Sequence, residues 1–275
     1  MSRAARADLE SLLQTRRLDH TLTSARPAPG SGGLPAPLAT GLSDLDAALG
    51  GGFPRGQVSE LIGPVSSGRT SVLYRLLARA TQEGDLAALV DGLDCFDPVS
   101  AATGGIDLPR LLWVRGHVTS HPGFCQDFNP RALTQALAAC ALVLQAGGFG
   151  LVALDLGGTP PVALRRVPYT TWLRLQRMVE GSRTACVLLG DTPMARSTAG
   201  LSLRLRPAAD RPGSGAPGRW LGADRSGGPD AGRARLFEGL AIDVQVVQAR
   251  ARWTDDRGCV VETVMESGCD PERQR

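Results

Sequence analysis

A short strand pattern at 58–62, followed by a glycine-containing loop and a helical pattern, constrains the fold more than any other segment. Residues 60–71 read ELIGPVSSGRTS. Gly63, Gly68 and Thr70 have the spacing of G-x-x-x-x-G-K-[ST], a loop whose backbone N–H groups hold phosphate oxygens at the amino end of a helix. The pattern therefore predicts an α/β fold with a nucleotide-binding loop, formed by Gly63, Ser66, Ser67, Gly68, Arg69 and Thr70.

Arg69 occupies the position at which this loop motif has lysine. Lysine reaches the terminal phosphates as a compact charge, whereas arginine is a planar five-donor fork on a longer stem. All 30 basic residues of the chain are arginine, so general drift from lysine to arginine is an alternative explanation. Drift could not replace a lysine required for turnover without loss of turnover. We therefore expect weakened nucleotide binding and phosphoryl transfer.

Composition limits the class of protein. The chain has 275 residues, 43% of them hydrophobic, and a formal charge of +3, which suits one core with extensions and permits contact with nucleic acid without requiring it. Six scattered cysteines without a C-x-x-C pair argue against a zinc site or a disulfide framework. No apolar run reaches the roughly 18 residues of a membrane span. We expect a cytoplasmic protein with no membrane contact.

Composition also changes along the chain. Apolar runs alternate with amphipathic segments over the middle of the sequence, which predicts a mostly parallel sheet flanked by helices. We divide the chain into an N-terminal helix with a Pro/Gly linker (1–37), a core (38–206), a flexible Gly/Pro/Arg-rich insertion (207–236), a C-terminal β-hairpin (237–266) and a tail (267–275).

The run 151–155 (LVALD) is an apolar strand pattern that ends on Asp155. Downstream of a phosphate loop, a carboxylate in this position can hold magnesium. Many strands end in aspartate, so the pattern is weak by itself. We expect Thr70 and Asp155 to act as metal ligands only if a magnesium nucleotide binds.

Three stretches together resemble the core of the RecA recombinase family over roughly 38–206. They read LATGLSDLDAALGGGFPRGQVSELIGPVSSGRT (38–70), LVDGLDCFDP (89–98) and LVALD. Unrelated P-loop proteins lack the leader with TG, LD and ALGGG. The resemblance implies a RecA-like α/β core in which 63–70 is the Walker A loop and Asp155 the Walker B acid. Within this family the chain is most similar to ImuA-type accessory proteins of bacterial damage-induced mutagenesis.

The resemblance also shows what is missing from the site. In RecA-like proteins a glutamate after the second strand polarises the attacking water, and here that position holds Leu93. Leucine can neither orient water nor accept a proton. Asp94 could substitute if the loop shifted. No nucleotide-sensing residue is evident at 190–192. We therefore expect no catalytic residues, with Arg69 and Leu93 as the degenerate positions.

RecA-like proteins hold DNA in two loops, which correspond here to 159–168 and 191–200. Arg165, Arg166 and Arg196 lie in these segments and are candidate DNA-binding residues, because phosphate contacts need only charge and reach. The alternative is that they are ordinary solvated arginines.

The resemblance implies a non-hydrolysing RecA-like adaptor of damage-induced translesion DNA synthesis. Such a protein requires no cofactor and binds ATP and magnesium weakly at most. Its expected partners are DNA, an ImuB-like polymerase-related protein, RecA and an error-prone replicative-type polymerase, with self-association and a location on the bacterial nucleoid. Two alternatives stay open: an active DNA-dependent ATPase of the RecA or RadA type, and a SulA-like inhibitor of cell division.

Overall fold

The computed structural model describes residues 35–116, 130–195, 199–208, 239–249 and 259–264. The helices are α1 (Ser43–Ala48), α2 (Arg69–Gln82), α3 (Pro98–Thr103), α4 (Pro130–Ala146), α5 (Pro161–Arg166) and α6 (Tyr169–Val179). The strands are β1 (Gln57–Ile62), β2 (Leu86–Asp91), β3 (Leu111–Arg115), β4 (Phe149–Asp155), β5 (Ala185–Gly190), β6 (Leu201–Pro207), β7 (Gly239–Ala249) and β8 (Cys259–Val264). The predicted N-terminal helix, the tail, Arg196 and nearly all of the insertion lie outside the described residues.

The described strands form one sheet in the order β3-β2-β4-β5-β1-β6-β7-β8. The first six are parallel, while β7 and β8 are antiparallel additions at one end. This confirms the predicted α/β class with a mostly parallel sheet, and β7 and β8 form the predicted hairpin. The parallel order brings the carboxyl ends of β1, β2, β4 and β5 to one edge of the sheet.

Helices cover both faces of the sheet. On one face α2 buries Val72, Leu73, Leu76 and Leu77, which recur at helical spacing. On the other face lie the apolar sides of α4 and α6, including Cys140, Trp172, Leu175 and Val179. Each large aliphatic side chain buried in this way stabilises the fold by about 1.5–3 kcal/mol. The continuous apolar strand runs of the sequence reflect this burial on both faces.

The glycine-rich leader, residues 38–56, folds into a turn that fixes the direction in which the chain enters β1. Leu38 and Phe53 pair as an antiparallel bridge, and the Asp46 carboxylate accepts hydrogen bonds from the N–H and hydroxyl of Thr40 at 2.7 and 2.8 Å. Gly52 has φ +128°, and a Cβ there would lie 2.1 Å from the Leu38 carbonyl oxygen. Only glycine fits this position.

The segment 159–168, expected to correspond to a DNA-holding loop, contains a helix instead, because Pro161–Arg166 forms the short helix α5. Proline at its first helical position supplies the required φ and loses no helical hydrogen bond. Arg165 and Arg166 therefore project from the last turn of a helix.

Candidate functional site

The glycine loop lies at the carboxyl edge of the sheet, between β1 and α2. The Gly63 N–H donates to the Gly190 carbonyl at 3.2 Å, which ties the loop to the end of β5. A Cβ on Gly63 would lie 2.5 Å from both the Leu205 carbonyl oxygen and Ser67 Oγ. Gly68 has φ +90°, a left-handed conformation that favours glycine. The two motif glycines are thus required by the local backbone.

The start of α2 has the backbone features that hold an anion. Gly68 is the N-cap and supplies no side-chain cap to the first N–H groups of the helix. Thr70 is exposed beside it. The Ser67 hydroxyl is buried and has no hydrogen-bond partner within the described part of the chain. Free N–H groups at a helix start, together with the helix dipole, attract phosphate oxygens. The loop backbone therefore fits the phosphates of a nucleotide.

The Arg69 side chain does not have the position of a phosphate-binding lysine. It is only 10% exposed, and its Nη1 lies 2.6 Å from Asp191 Oδ1 at the end of β5. This contact is an ion pair without hydrogen-bond alignment, since Nη1 has no hydrogen-bond partner among the described residues. A Cβ on Gly157 would lie 3.0 Å from Asp155 Oδ1 and 3.3 Å from Arg69 Nη2, so both groups flank the same glycine. The guanidinium is thus paired with Asp191 and lies close to Asp155.

Burial raises the pKa of Asp155 above its ordinary value. The Gly157 N–H, which donates to Asp155 Oδ1 at 2.8 Å, and the Arg69 charge both act in the opposite direction. The neighbouring carboxylates of Asp91 and Asp191 raise the pKa further. The Asp155 carboxyl group therefore lies near the carboxylates of Asp91 and Asp191, and the Arg69 guanidinium is a positive charge that partly offsets them.

Leu93 occupies the position at which the resemblance to RecA-like proteins places a water-activating glutamate. Leu93 Cδ1 packs 3.3 Å from the place where a Cβ of Gly158 would be. Asp94, the alternative acid, accepts two hydrogen bonds from Arg115, at 2.8 Å from Nε and 2.7 Å from Nη2. The Arg115 hydrogen bond lowers the pKa of Asp94, which makes it a weaker base. The Arg115 guanidinium also stacks 4.6 Å from the Trp113 ring centroid. This geometry assigns Asp94 to an ion pair with β3.

Asp91, at the end of β2, has a structural role. Its buried carboxylate accepts from the N–H groups of Cys95 and Phe96 at 3.0 and 2.8 Å. It also accepts from Trp113 Nε1 at 3.3 Å. These bonds hold the acidic loop 91–97 against the sheet. With its acceptor sites occupied, Asp91 anchors the loop that carries Leu93.

Sequence reasoning missed two functional acids. Asp191 was not identified as a partner of Arg69, because the contact depends on β5 lying between β4 and β1. Glu60 is 1% exposed; its Oε1 accepts from the N–H groups of Met194 and Ala195, and its Oε2 accepts from Ser202 Oγ at 2.7 Å. A lone glutamate within an apolar strand is a signal of such a buried anchor. Glu60 thus fixes the start of the segment that follows β5.

The candidate DNA-binding arginines separate in the structure. Arg165 and Arg166 are both exposed at the end of α5. Arg165 lines a cavity of 290 Å³ that it shares with Thr192 and Met194 of the second loop segment. Arg166 lines a different cavity, on the side of α4 and α6. Only Arg165 is therefore brought together with the second loop segment, while Arg196 lies outside the described residues.

The described ranges contain no cluster of three or more histidine, cysteine or acidic residues arranged to hold a metal ion. Their helices also include none with the length and apolar character needed to cross a bilayer. With a bound nucleotide, Thr70 and Asp155 would be the residues placed to contact magnesium.

Comparison with known proteins agrees with the fold and the loop. Residues 36–121 match the RecA N-terminal domain. Protein RecA of Chlorobaculum parvum is 38% identical over 119 residues, which is 43% of this chain and 30% of that relative. Protein RecA of Roseiflexus sp. is 38% identical over 117 residues, 42% of this chain and 29% of the relative. Protein RecA of Prochlorococcus marinus is 45% identical over 75 residues, 27% of this chain and 20% of the relative.

The aligned region thus spans about a third or less of these relatives' length. The match to the RecA N-terminal domain over 36–121 includes the leader, the glycine loop, α2 and β2, where the sequence pattern was most specific. The chain is therefore similar to the RecA N-terminal domain over residues 36–121, and its mostly parallel sheet flanked by helices is consistent with a RecA-like α/β core.

Proposed function

We propose that this chain is a RecA-like adaptor that does not hydrolyse ATP and that binds DNA and protein partners in damage-induced translesion synthesis, as ImuA-type proteins do. The observation that carries the proposal is the buried Arg69 guanidinium, ion-paired with Asp191 and adjacent to Asp155. The similarity to RecA supports the setting in DNA repair.

Phosphoryl transfer depends on three parts: a cation at the terminal phosphates, a metal ion bridging them, and a group that orients the attacking water. Here the cation is engaged by Asp191. The water-orienting position carries an aliphatic side chain, Leu93, and the nearest acid, Asp94, is paired with Arg115. Two independent parts are therefore altered, and each alteration acts on the chemical step.

The loop backbone still fits a nucleotide, which would bring phosphate charge and its magnesium ion to the amino end of α2. Thr70 and Asp155 would hold the ion. For Arg69 to contact the phosphates, its guanidinium would have to leave Asp191, and separating a largely buried ion pair costs free energy. That cost is subtracted from the binding energy. We therefore propose that nucleotide binding is weak and that the fold works without it.

As an adaptor, the protein would use other surfaces than the glycine loop to bind DNA and protein partners. Arg165 and the segment fixed by Glu60 form the proposed DNA contact, together with Arg196. By resemblance to ImuA-type proteins, the protein partners are an ImuB-like polymerase-related protein, RecA and an error-prone replicative-type polymerase. Self-association and nucleoid location belong to the same proposal.

Phosphate release by the purified 275-residue chain tests the missing chemistry. We expect the rate of phosphate release in the presence of single-stranded DNA to be no higher for this chain than for its Asp155→Ala variant. DNA-stimulated release that Asp155→Ala abolishes would instead establish an active ATPase of the RecA or RadA type.

DNA binding is tested separately by fluorescence anisotropy with a labelled oligonucleotide. Arg165→Ala should lower affinity evenly across sequences and reduce the salt dependence, because a phosphate contact releases counterions without reading bases. Arg166→Ala, on the neighbouring residue that lines the other cavity, is the matched control and should change affinity less. Unchanged affinity of the Arg165→Ala variant would remove Arg165 from the DNA site, and an equal loss in the Arg166→Ala variant would add Arg166 to it.

A further inference from the structure

A groove separates α4 from the α5–α6 pair on the face of the sheet opposite α2. Its volume is 390 Å³. Apolar side chains from all three helices form its floor, namely those of Leu133, Leu137, Ala141, Ala163, Val167 and Leu175. A space of this size and lining is suited to apolar side chains of a ligand.

Two arginines form a positively charged rim on the groove. The helices α4, α5 and α6 contain five arginines and no aspartate or glutamate; the arginines are Arg131, Arg165, Arg166, Arg174 and Arg177. Arg166 and Arg174 line the groove and are both exposed. Neither forms an ion pair within the described part of the chain. The amino end of α6, at Tyr169, adds the positive end of a helix dipole.

The combination of an apolar floor and a cationic rim distinguishes between two kinds of occupant. A nucleic acid backbone would pair with the arginines but would leave the apolar floor against polar groups and water. An amphipathic peptide would bury apolar side chains on the floor and place its carboxylates against the rim. Helix-in-groove recognition uses this arrangement of anchors at i, i+3 or i+4.

We propose that the groove between α4 and α6 docks a short acidic amphipathic segment of a partner protein, with its apolar residues on Leu137 and Leu175 and its carboxylates at Arg166 and Arg174. The inference rests on the proposed adaptor function, for which it names a partner surface. Because the groove and α2 lie on opposite faces of the sheet, docking leaves the glycine loop unobstructed.

Selection from a phage-displayed library of random peptides of about 16 residues tests this chemistry without requiring that the partner be identified. The immobilised 275-residue chain is the target. We expect enriched peptides to carry acidic residues together with apolar residues at i and i+3 or i+4. Binding of the enriched peptides, made with a fluorescent label, is then measured by anisotropy.

Two variants and two matched controls locate the site. Ala138→Glu adds an acid and bulk to the exposed wall of the groove, and Arg174→Glu reverses the charge of its rim. Each should weaken peptide binding by about tenfold or more, which corresponds to about 1.4 kcal/mol. At exposed positions outside the groove, Gln145→Glu on α4 adds an acid without added bulk and Arg177→Glu on α6 reverses a charge. These controls should leave affinity within about twofold.

The proposal is overturned if no peptide is enriched, if enriched peptides lack acidic residues, or if the controls weaken binding as much as the groove variants. It is also overturned if Arg174→Glu weakens DNA binding while peptide binding is unchanged, because DNA is then the occupant. None of these outcomes alters the phosphate-release test, so failure of the docking proposal and failure of the proposed function are separable.

Discussion

Replacement of Arg69 by alanine tests whether its guanidinium neutralises the acids of the sheet edge. The substitution removes a side chain that is 10% exposed and breaks the 2.6 Å ion pair with Asp191. It also removes a positive charge near Asp155, whose pKa burial already raises. Without this cation, the negative charges of the neighbouring carboxylates repel each other more strongly, and this repulsion destabilises the folded state.

The expected magnitude follows from the burial of the two partners. Removing one member of a fully buried ion pair costs about 3–5 kcal/mol. Asp191 is 29% exposed, so water screens part of its charge and lowers this figure. We expect Arg69→Ala to reduce the free energy of unfolding by about 2–3 kcal/mol at pH 7. Arg69→Met, which retains much of the side-chain volume without the charge, should cause most of the same loss.

Urea unfolding followed by circular dichroism measures the effect, provided that the urea dependence of the unfolding free energy is unchanged. Arg79→Ala is the control, because Arg79 pairs with Glu83 on the exposed surface of the same helix, with side-chain exposures of 48% and 38%. Exposed pairs contribute about 0.2–1 kcal/mol. If Arg69→Ala is no more destabilising than Arg79→Ala, or if it stabilises the fold, the guanidinium does not neutralise the site.

Three further substitutions test other parts of the account. Asp155→Asn should stabilise the fold at pH 7: the folded-state pKa of Asp155 is raised, so its ionised form costs stability above that pKa. The gain over the unsubstituted protein should shrink as the pH falls through the folded pKa towards about 4, and a gain independent of pH would contradict this reading. Glu60→Gln should lower the free energy of unfolding by about 2–4 kcal/mol, because charge-assisted hydrogen bonds to a buried carboxylate are lost. It should also speed amide hydrogen exchange at Met194. Unchanged exchange would show that Glu60 does not fix this segment. Gly52→Ala should cost more than about 2 kcal/mol, since its Cβ would strike the Leu38 carbonyl, while Gly50→Ala, at φ +66° in open space, should cost about 1 kcal/mol. Similar urea midpoints for the two alanine variants would refute the close approach.

Local patterns in the sequence predicted much of the core. The run 58–62, the glycine loop and the face of α2 were identified because strand and helix periodicities are short-range properties. The leader was identified by its resemblance to RecA-like proteins, and in the structure Gly52 and Asp46 stabilise its turn. The helix α5 was missed, since six residues that begin with proline resemble a loop as closely as a helix.

The electrostatics of the site could not be predicted in the same way. Arg69 meets Asp191 only because β5 lies beside β1 in the sheet, and the two residues are far apart in sequence. Asp94 could be proposed as a base until its contact with Arg115 of β3 was located. Glu60 is also fixed by a segment distant in sequence. Such contacts depend on strand order, which local patterns do not determine.

The position of Arg69 in the presence of nucleotide is the most direct test of the central claim. A crystal structure determined after soaking with magnesium and a non-hydrolysable ATP analogue would show it. We expect the guanidinium to remain against Asp191 and Asp155, with no ordered γ-phosphate and no metal ion between Thr70 and Asp155. An ordered triphosphate contacted by Arg69, with magnesium held by Thr70 and Asp155, would contradict the account.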